Sequence, residues 1–198
     1  MNTGDRFIEK NKEGNTPWVH KEADFNLVNM VENWPINPCR TLELGCGTGT
    51  DAIWLAENGF EVTAIDGSPI AIDIAKKAAQ ENNIDCNFKV IDFVSDEMKE
   101  SPYDFIFDRG FFHSFDTDSD RKLIAEKAAG LLSERGMWLT LMANADAPPR
   151  DSGPPMRSAR SIVDAVEPFF KILTLTVSYF GNEQDDPPRI WVCLMRKR

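Results

Sequence analysis

The stretch Thr41–Asp51, TLELGCGTGTD, constrains this chain more than any other. A short apolar run carries Glu43 near its end, and Gly45, Gly47 and Gly49 follow on alternate positions. The run reads as a buried strand and Thr50 to Glu57 as a helix, so the glycines make a tight strand-to-helix turn. Glycine suits such a turn because it accepts positive φ and lets backbone approach a ligand without a Cβ between them. Dinucleotides, nucleoside triphosphates and adenosyl compounds all use turns of this kind. The surroundings must decide among them.

Those surroundings repeat a strand-then-helix pattern. FEVTAID reads as a second buried strand, with Ser68 as N-cap and Pro69 at the first position of the helix that follows. CNFKVID, YDFIFDRG and MWLTLMANA give strands three to five. An amphipathic helix, SDRKLIAEKAAGLL, precedes the fifth, with a turn expected at SERG. SARSIVDAVEPF is a short helix, and FKILTLTVSYF and IWVCLMRK are two final strands joined by a polar loop. Upstream, Leu27, Met30, Val31 and Trp34 fall at helical spacing before Pro35. Trp54, Trp138 and Trp191 are expected in the core.

Strands alternating with helices predict an α/β fold: a Rossmann-like three-layer sandwich whose mostly parallel seven-stranded sheet ends in an antiparallel hairpin. One domain is expected over residues 1–198, with a flexible arm at 1–17, an N-terminal lid and helix at 18–38 and the core at 39–198. Ligands of such sheets sit at the carboxyl ends of the strands, near the switch in strand order. The glycine turn, Asp66, Asp92 and FDRG converge there.

The balance of 32 acidic against 22 basic residues, a net charge of -10, argues against nucleic acid or an anionic membrane as partner. No run reaches membrane-span length, and the polar N-terminus lacks the apolar segment of a signal peptide. The four cysteines are scattered, with no zinc or disulfide spacing, which suits a reducing cytoplasm. No metal site is expected.

Gly47-x-Gly49-x-x-Ala52 with Asp66 also satisfies the loose dinucleotide pattern. Nothing else supports an oxidoreductase, since neither Tyr103 nor Tyr179 has a lysine four places on. Taken as a unit, ELGCGTG resembles the first motif of class I S-adenosylmethionine-dependent methyltransferases, and the resemblance runs from about Trp18 to Arg198. Under this reading Gly45, Cys46, Gly47, Thr48 and Gly49 pass beside the methionine part of the cofactor, and Glu43 orients its amine. Asp66, with Gly67 and Ser68, receives the ribose hydroxyls. Asp92 accepts from the adenine amine, with Phe93 on the ring. A carboxylate after apolar strand residues is costly without such a partner.

TPWVHKEADFNLV and FDRGFFHSF resemble thiopurine and thiol methyltransferases, including their tellurite-resistance and halide/thiol relatives. That resemblance implies that Trp18 covers the cofactor and that Asp108, itself counted with the cofactor set, lies with Arg109 and Phe112 near the acceptor. Phe111, Phe112 and Phe115 can exclude water from charged reactants. His113 is the natural general base, with Arg109 beside it as the other catalytic candidate. His20 is a weaker one. Arg150 and Arg157 flank the Pro-rich loop and, with Arg109, can hold an anionic group.

The expectation is a cytoplasmic enzyme, a monomer or weak homodimer, that moves a methyl group from S-adenosylmethionine to a small molecule, releasing S-adenosylhomocysteine. A thiol or other soft nucleophile is the expected acceptor. The alternatives are an O- or N-methyltransferase on a small metabolite, an NAD-binding oxidoreductase, and a non-catalytic adenosyl sensor.

Overall fold

Strand β1 (Arg40–Leu44) lies inside the sheet, paired in parallel with β2 (Glu61–Asp66) on one side and β4 (Tyr103–Arg109) on the other. The computed structural model describes residues 19–99, 102–148, 155–181 and 186–198. β3 (Asn87–Val90) extends the parallel set beyond β2, and β5 (Leu132–Ala143) extends it beyond β4. β7 (Arg189–Lys197) then runs antiparallel between β5 and β6 (Phe170–Tyr179). The order β3-β2-β1-β4-β5-β7-β6 reverses direction between β1 and β4, the place where doubly wound sheets open a crevice.

Helices cover both faces because both faces of the inner strands are apolar. Phe105 and Phe107 of β4 enter the cluster on one face, whereas Ile106 of β4 and Leu42 and Leu44 of β1 enter the cluster on the other. The first face packs Leu27 of α1 (Phe25–Asn33), Ala52 and Leu55 of α2 (Thr50–Glu57), and Ile72, Ala75 and Ala79 of α3 (Pro69–Glu81). The second packs Ile124, Ala125 and Ala128 of α4 (Asp118–Leu131) with Ile162, Ala165 and Val166 of α5 (Ala159–Val166). This is the expected three-layer arrangement, with the expected hairpin. Trp138 is fully buried, and Trp54 and Trp191 pack against the core from partly buried positions.

Caps follow the sequence signals. Ser68 Oγ accepts from the Ala71 amide with Pro69 in the first turn of α3, and Asp24 caps α1 by accepting from the Asn26 amide. The turn expected at Ser133–Gly136 is absent. β5 begins at Leu132, and its register against β4 jumps from Tyr103↔Leu132 to Phe105↔Met137, so SERG is an outward bulge within the strand. Gly136 folds it back so tightly that a Cβ there would lie 2.7 Å from Leu132 Cδ2. The turn chemistry is real, but continued sheet pairing absorbs it.

Candidate active site at the carboxyl ends of the strands

The turn after β1 uses its three glycines differently. All take positive φ, at +67° for Gly45, +53° for Gly47 and +82° for Gly49. A Cβ on Gly45 would lie 2.8 Å from Phe111 Cδ2, and one on Gly49 would lie 2.8 Å from both Ala75 Cβ and Phe88 Cε1. Those two let neighbours pack. A Cβ on Gly47 would meet nothing within 4 Å, so the backbone faces open space at this position. Thr48 is half-buried beside it, and Gly67 across the crevice is exposed and equally unobstructed.

Asp66 ends β2 and ties the crevice together. Its Oδ2 accepts from the Gly47 amide at 3.0 Å and its Oδ1 from the Ser68 amide at 2.8 Å. Burial raises its pKa, while those two amides pull the other way. The Cys46 thiol is buried and pushed well up by desolvation and then by Glu43 and Asp66, so this residue contributes backbone rather than a reactive sulfur.

Glu43 stands opposite Phe107 on the first face of the sheet, only 3% exposed. Its Oε2 has no hydrogen-bond partner among the described residues. Burial drives its carboxyl well above the usual range, reinforced by Asp51, Asp66 and Asp108 and opposed by Arg109. A buried oxygen of this kind asks for a donor, and the surrounding acids favour a cationic one.

The segment before α1 is fastened onto this turn. The Asp24 amide donates to Asp51 Oδ1 at 2.8 Å, His20 Nε2 lies 3.1 Å from Asp51 Oδ2, and Thr50 Oγ1 donates to the His20 carbonyl. The Asp24 carboxylate also receives Arg109 Nε at 2.8 Å. Arg109 in turn lies 4.8 Å from the centroid of the Phe180 ring. Asp24, Asp51 and Phe180 were not picked out by sequence reasoning as site residues. The only signal for the two acids was their placement at the starts of helices.

Several expected roles change. Phe112 is fully buried with its ring edge-on to Trp138, so it is core and Phe111 holds the half-exposed position against Gly45. Phe93 is also core, 2% exposed, between the edge of Phe111 and the Lys127 ammonium. Both rings gain more from burial than from a rim position. Asp108 is sealed on the second face, where Thr140 Oγ1 donates to its Oδ2 at 2.7 Å. Burial raises its carboxyl to about 8, against the pull of Thr140, the Phe112 amide and Trp138. It braces the turn after β4 from below.

Arg157 is not free to hold an anion. Its Nε and Nη2 donate to the His113 carbonyl at 3.0 and 2.7 Å, and Nη2 also reaches the Phe115 carbonyl and Asp116. His113 Nδ1 accepts from the Ala143 amide at 2.9 Å, which is not the arrangement of a base offering that nitrogen to an acceptor. Asp92 stays at the exposed tip beyond β3, with Oδ1 on the Val94 amide. Trp18 and Arg150 lie outside the described residues. Among the described residues no cluster suits a metal ion, and no helix is long and apolar enough to cross a membrane.

Residues 41–136 match the family described as methyltransferase domain. The chain is 33% identical over 144 residues to a probable thiol methyltransferase 2 of Arabidopsis thaliana, a match covering 72% of this chain and 62% of that protein. The chain therefore spans less than two thirds of that relative's length. A solved structure from work on converting a disulfide bond into a thioacetal group during echinomycin biosynthesis gives a TM-score of 0.84 at 22% identity, over 99% of this chain and 92% of that one. The N-methyltransferase NodS from Bradyrhizobium japonicum WM9 in complex with S-adenosyl-l-homocysteine gives 0.76 at 16% identity, over 100% and 99%. The chain shares the Rossmann-like fold of both structures.

Proposed function

We propose that this chain transfers a methyl group from S-adenosylmethionine to a small-molecule acceptor, a thiol or another soft nucleophile. The observation that carries the reading is the unpartnered Glu43 Oε2, on the strand that leads into the turn with the open backbone of Gly47. An ammonium group satisfies that oxygen, and the acidic ring of Asp51 and Asp66 around it suits a ligand bearing positive charge. Asp66 holds the turn with one lone pair on each oxygen and retains others for a pair of hydroxyls. Asp92, exposed beyond the next strand, is the residue this reading assigns to an amine of the ligand.

When bound, the cofactor supplies a methyl already activated on a sulfonium. The protein's share is therefore alignment and the exclusion of water. Phe111 and Phe115 pack edge to face after β4 and supply apolar surface there, and the Asp24–Arg109 pair fastens the N-terminal segment to the end of that strand. A thiol as acceptor is supported by the likeness to the Arabidopsis protein.

The test has two stages. S-adenosylhomocysteine should raise the melting temperature in proportion to its binding, with NAD having little effect at equal concentration. Labelled S-adenosylmethionine offered with thiols, phenols, alcohols and amines should then yield methylated thiols by mass spectrometry. Response to NAD alone, or methylation only of oxygen or nitrogen, would overturn the corresponding part of the reading.

A further inference from the structure

His113 lies in the single 3-10 turn after β4, Phe112–Ser114, and is 4% exposed. The Ala143 amide at the end of β5 donates to its Nδ1 at 2.9 Å. A ring nitrogen that accepts carries no proton, so the neutral ring bears its hydrogen on Nε2. The position is firmly set. Arg157 grips the His113 carbonyl through two nitrogens, and Phe180 meets the ring edge-on at 6.0 Å between centroids. The Cε1–Nε2 edge lies over Gly110 at the tip of β4, where a Cβ would come within 3.3 Å of both atoms. Of the two arginines near this turn, Arg109 is paired with Asp24 and Arg157, which holds the His113 carbonyl, with Asp116. A proton taken up at Nδ1 would set a donor against the Ala143 amide.

We infer that His113 is locked as an Nε2–H hydrogen-bond donor and takes no proton from the acceptor, so the site serves acceptors that ionise in water before they bind, thiols and selenols rather than alcohols or amides. The inference rests on the methyltransferase reading above. Of the other titratable groups at this end of the sheet, Glu43, Asp66 and Asp92 are those the methyltransferase reading gives to the cofactor, and others are engaged within the protein. His20 Nε2 is on Asp51, Asp24 is on Arg109, and Asp108 is sealed beneath the opposite face. The acceptor's thiolate sulfur forms the new S–CH3 bond as the sulfonium C–S bond breaks, and that electron pair stays on the departing thioether sulfur. The thiol proton has already gone to water.

Two measurements test this. In a long-range 1H–15N spectrum of the ligand-free protein, the two histidines can be assigned with His113→Asn, whose Oδ1 can replace Nδ1 as the amide's acceptor. His113 should show a bare Nδ1 and a protonated Nε2 from about pH 6 to about pH 8. A protonated Nδ1, or a ring that titrates across that range, overturns the lock whether or not the protein turns over. The rate of thiol methylation should also rise with pH at a midpoint that follows the acceptor, moving by about two pH units between thiols whose own pKa values differ by that much. His113→Asn should leave each midpoint in place. A fixed midpoint shared by all thiols and abolished in His113→Asn makes His113 the base and overturns the inference. A protein that binds no adenosyl compound and methylates no thiol instead overturns the methyltransferase reading, and the nitrogen spectrum still decides the tautomer.

Discussion

Arg109 Nε donates to Asp24 Oδ2 across 2.8 Å, joining the tip of β4 to the cap of α1. Both side chains are withdrawn from water, at 13% and 0% exposure. Asp24 also takes two donors from Asn26 and hands its own amide to Asp51 in the first turn of α2. The arginine expected to hold an anionic acceptor thus fastens the N-terminal segment to the glycine turn. With Arg157 committed to backbone carbonyls, neither arginine is set up for anion recognition.

The first prediction follows from that pair. Arg109→Met keeps the length of the side chain, removes the charge and leaves Asp24 buried. Removing one member of a buried pair costs roughly 3–5 kcal/mol, and the Asn26 donors should hold the loss toward the lower end. Urea denaturation should show it. A loss under about 1 kcal/mol, the range of exposed pairs, would mean that Asp24 is adequately solvated without the arginine.

The second prediction separates the three glycines. An added Cβ at Gly49 meets Ala75 and Phe88, packed core atoms with no room to retreat, at φ +82°. At Gly47 the same atom meets nothing, so only the left-handed backbone opposes it, at about 1–2 kcal/mol. Gly49→Ala should therefore lose clearly more stability than Gly47→Ala, by thermal melting. Affinity for S-adenosylhomocysteine should fall in Gly47→Ala even where the fold survives, because the open backbone there is the approach to the ligand. Equal melting losses would contradict the packing just described.

The frame of the fold was legible because period and punctuation agree in this chain. Apolar runs such as TLEL and FIF can only be strands buried on both faces, and Ser68–Pro69 marks a helix start. Asp66 and Glu43 drew notice for a related reason: acids that end apolar strands need partners, and Asp66 finds two of them in the Gly47 and Ser68 amides. What escaped the sequence was the side to which each residue of FDRGFFH turns. Phe111 and Phe112 are identical in type, yet one closes on Gly45 and the other on Trp138. The difference is fixed by the positive φ of Gly110 and the 3-10 turn after it. Arg157 escaped because its partners are carbonyls, which leave no trace in sequence, and SERG because pairing with β4 overrides a local turn.

The third prediction concerns pH. Asp108 titrates at about 8 in the folded protein because it is buried, against about 3.9 for an aspartate in an unfolded chain. Between those values the folded state holds a proton that the unfolded state has lost. Its contribution to stability is thus fully present below the lower value and disappears as pH rises through the upper one, at up to about 1.4 kcal/mol per pH unit. Glu43 and Asp66 are shifted the same way and add to the trend. The urea midpoint should fall from about pH 5 to about pH 8, less steeply in Asp108→Asn. A midpoint that climbs over that range would mean that Asp108 is ionised in the fold.

The last prediction uses Glu43 as a reporter of the ligand. Burial first, and then Asp51, Asp66 and Asp108, hold its carboxyl well above the ordinary range, so the ligand-free protein keeps a proton there at pH values where a free glutamate has none. An ammonium group against Oε2 favours the carboxylate, because an opposite charge at contact stabilises the ionised form. Binding of S-adenosylhomocysteine must then release part of a proton, up to about one when Glu43 is fully protonated beforehand. Titration calorimetry in buffers of different ionisation enthalpy reads this number directly as the slope of observed heat against buffer heat. Glu43→Gln keeps the shape, carries no proton to release, and should give a slope near zero together with weaker binding. Raising the pH should shrink the wild-type slope, since the proton is then lost before the ligand arrives. A wild-type slope of zero at every pH would place the ligand's ammonium away from Oε2, and the buried oxygen would need another donor.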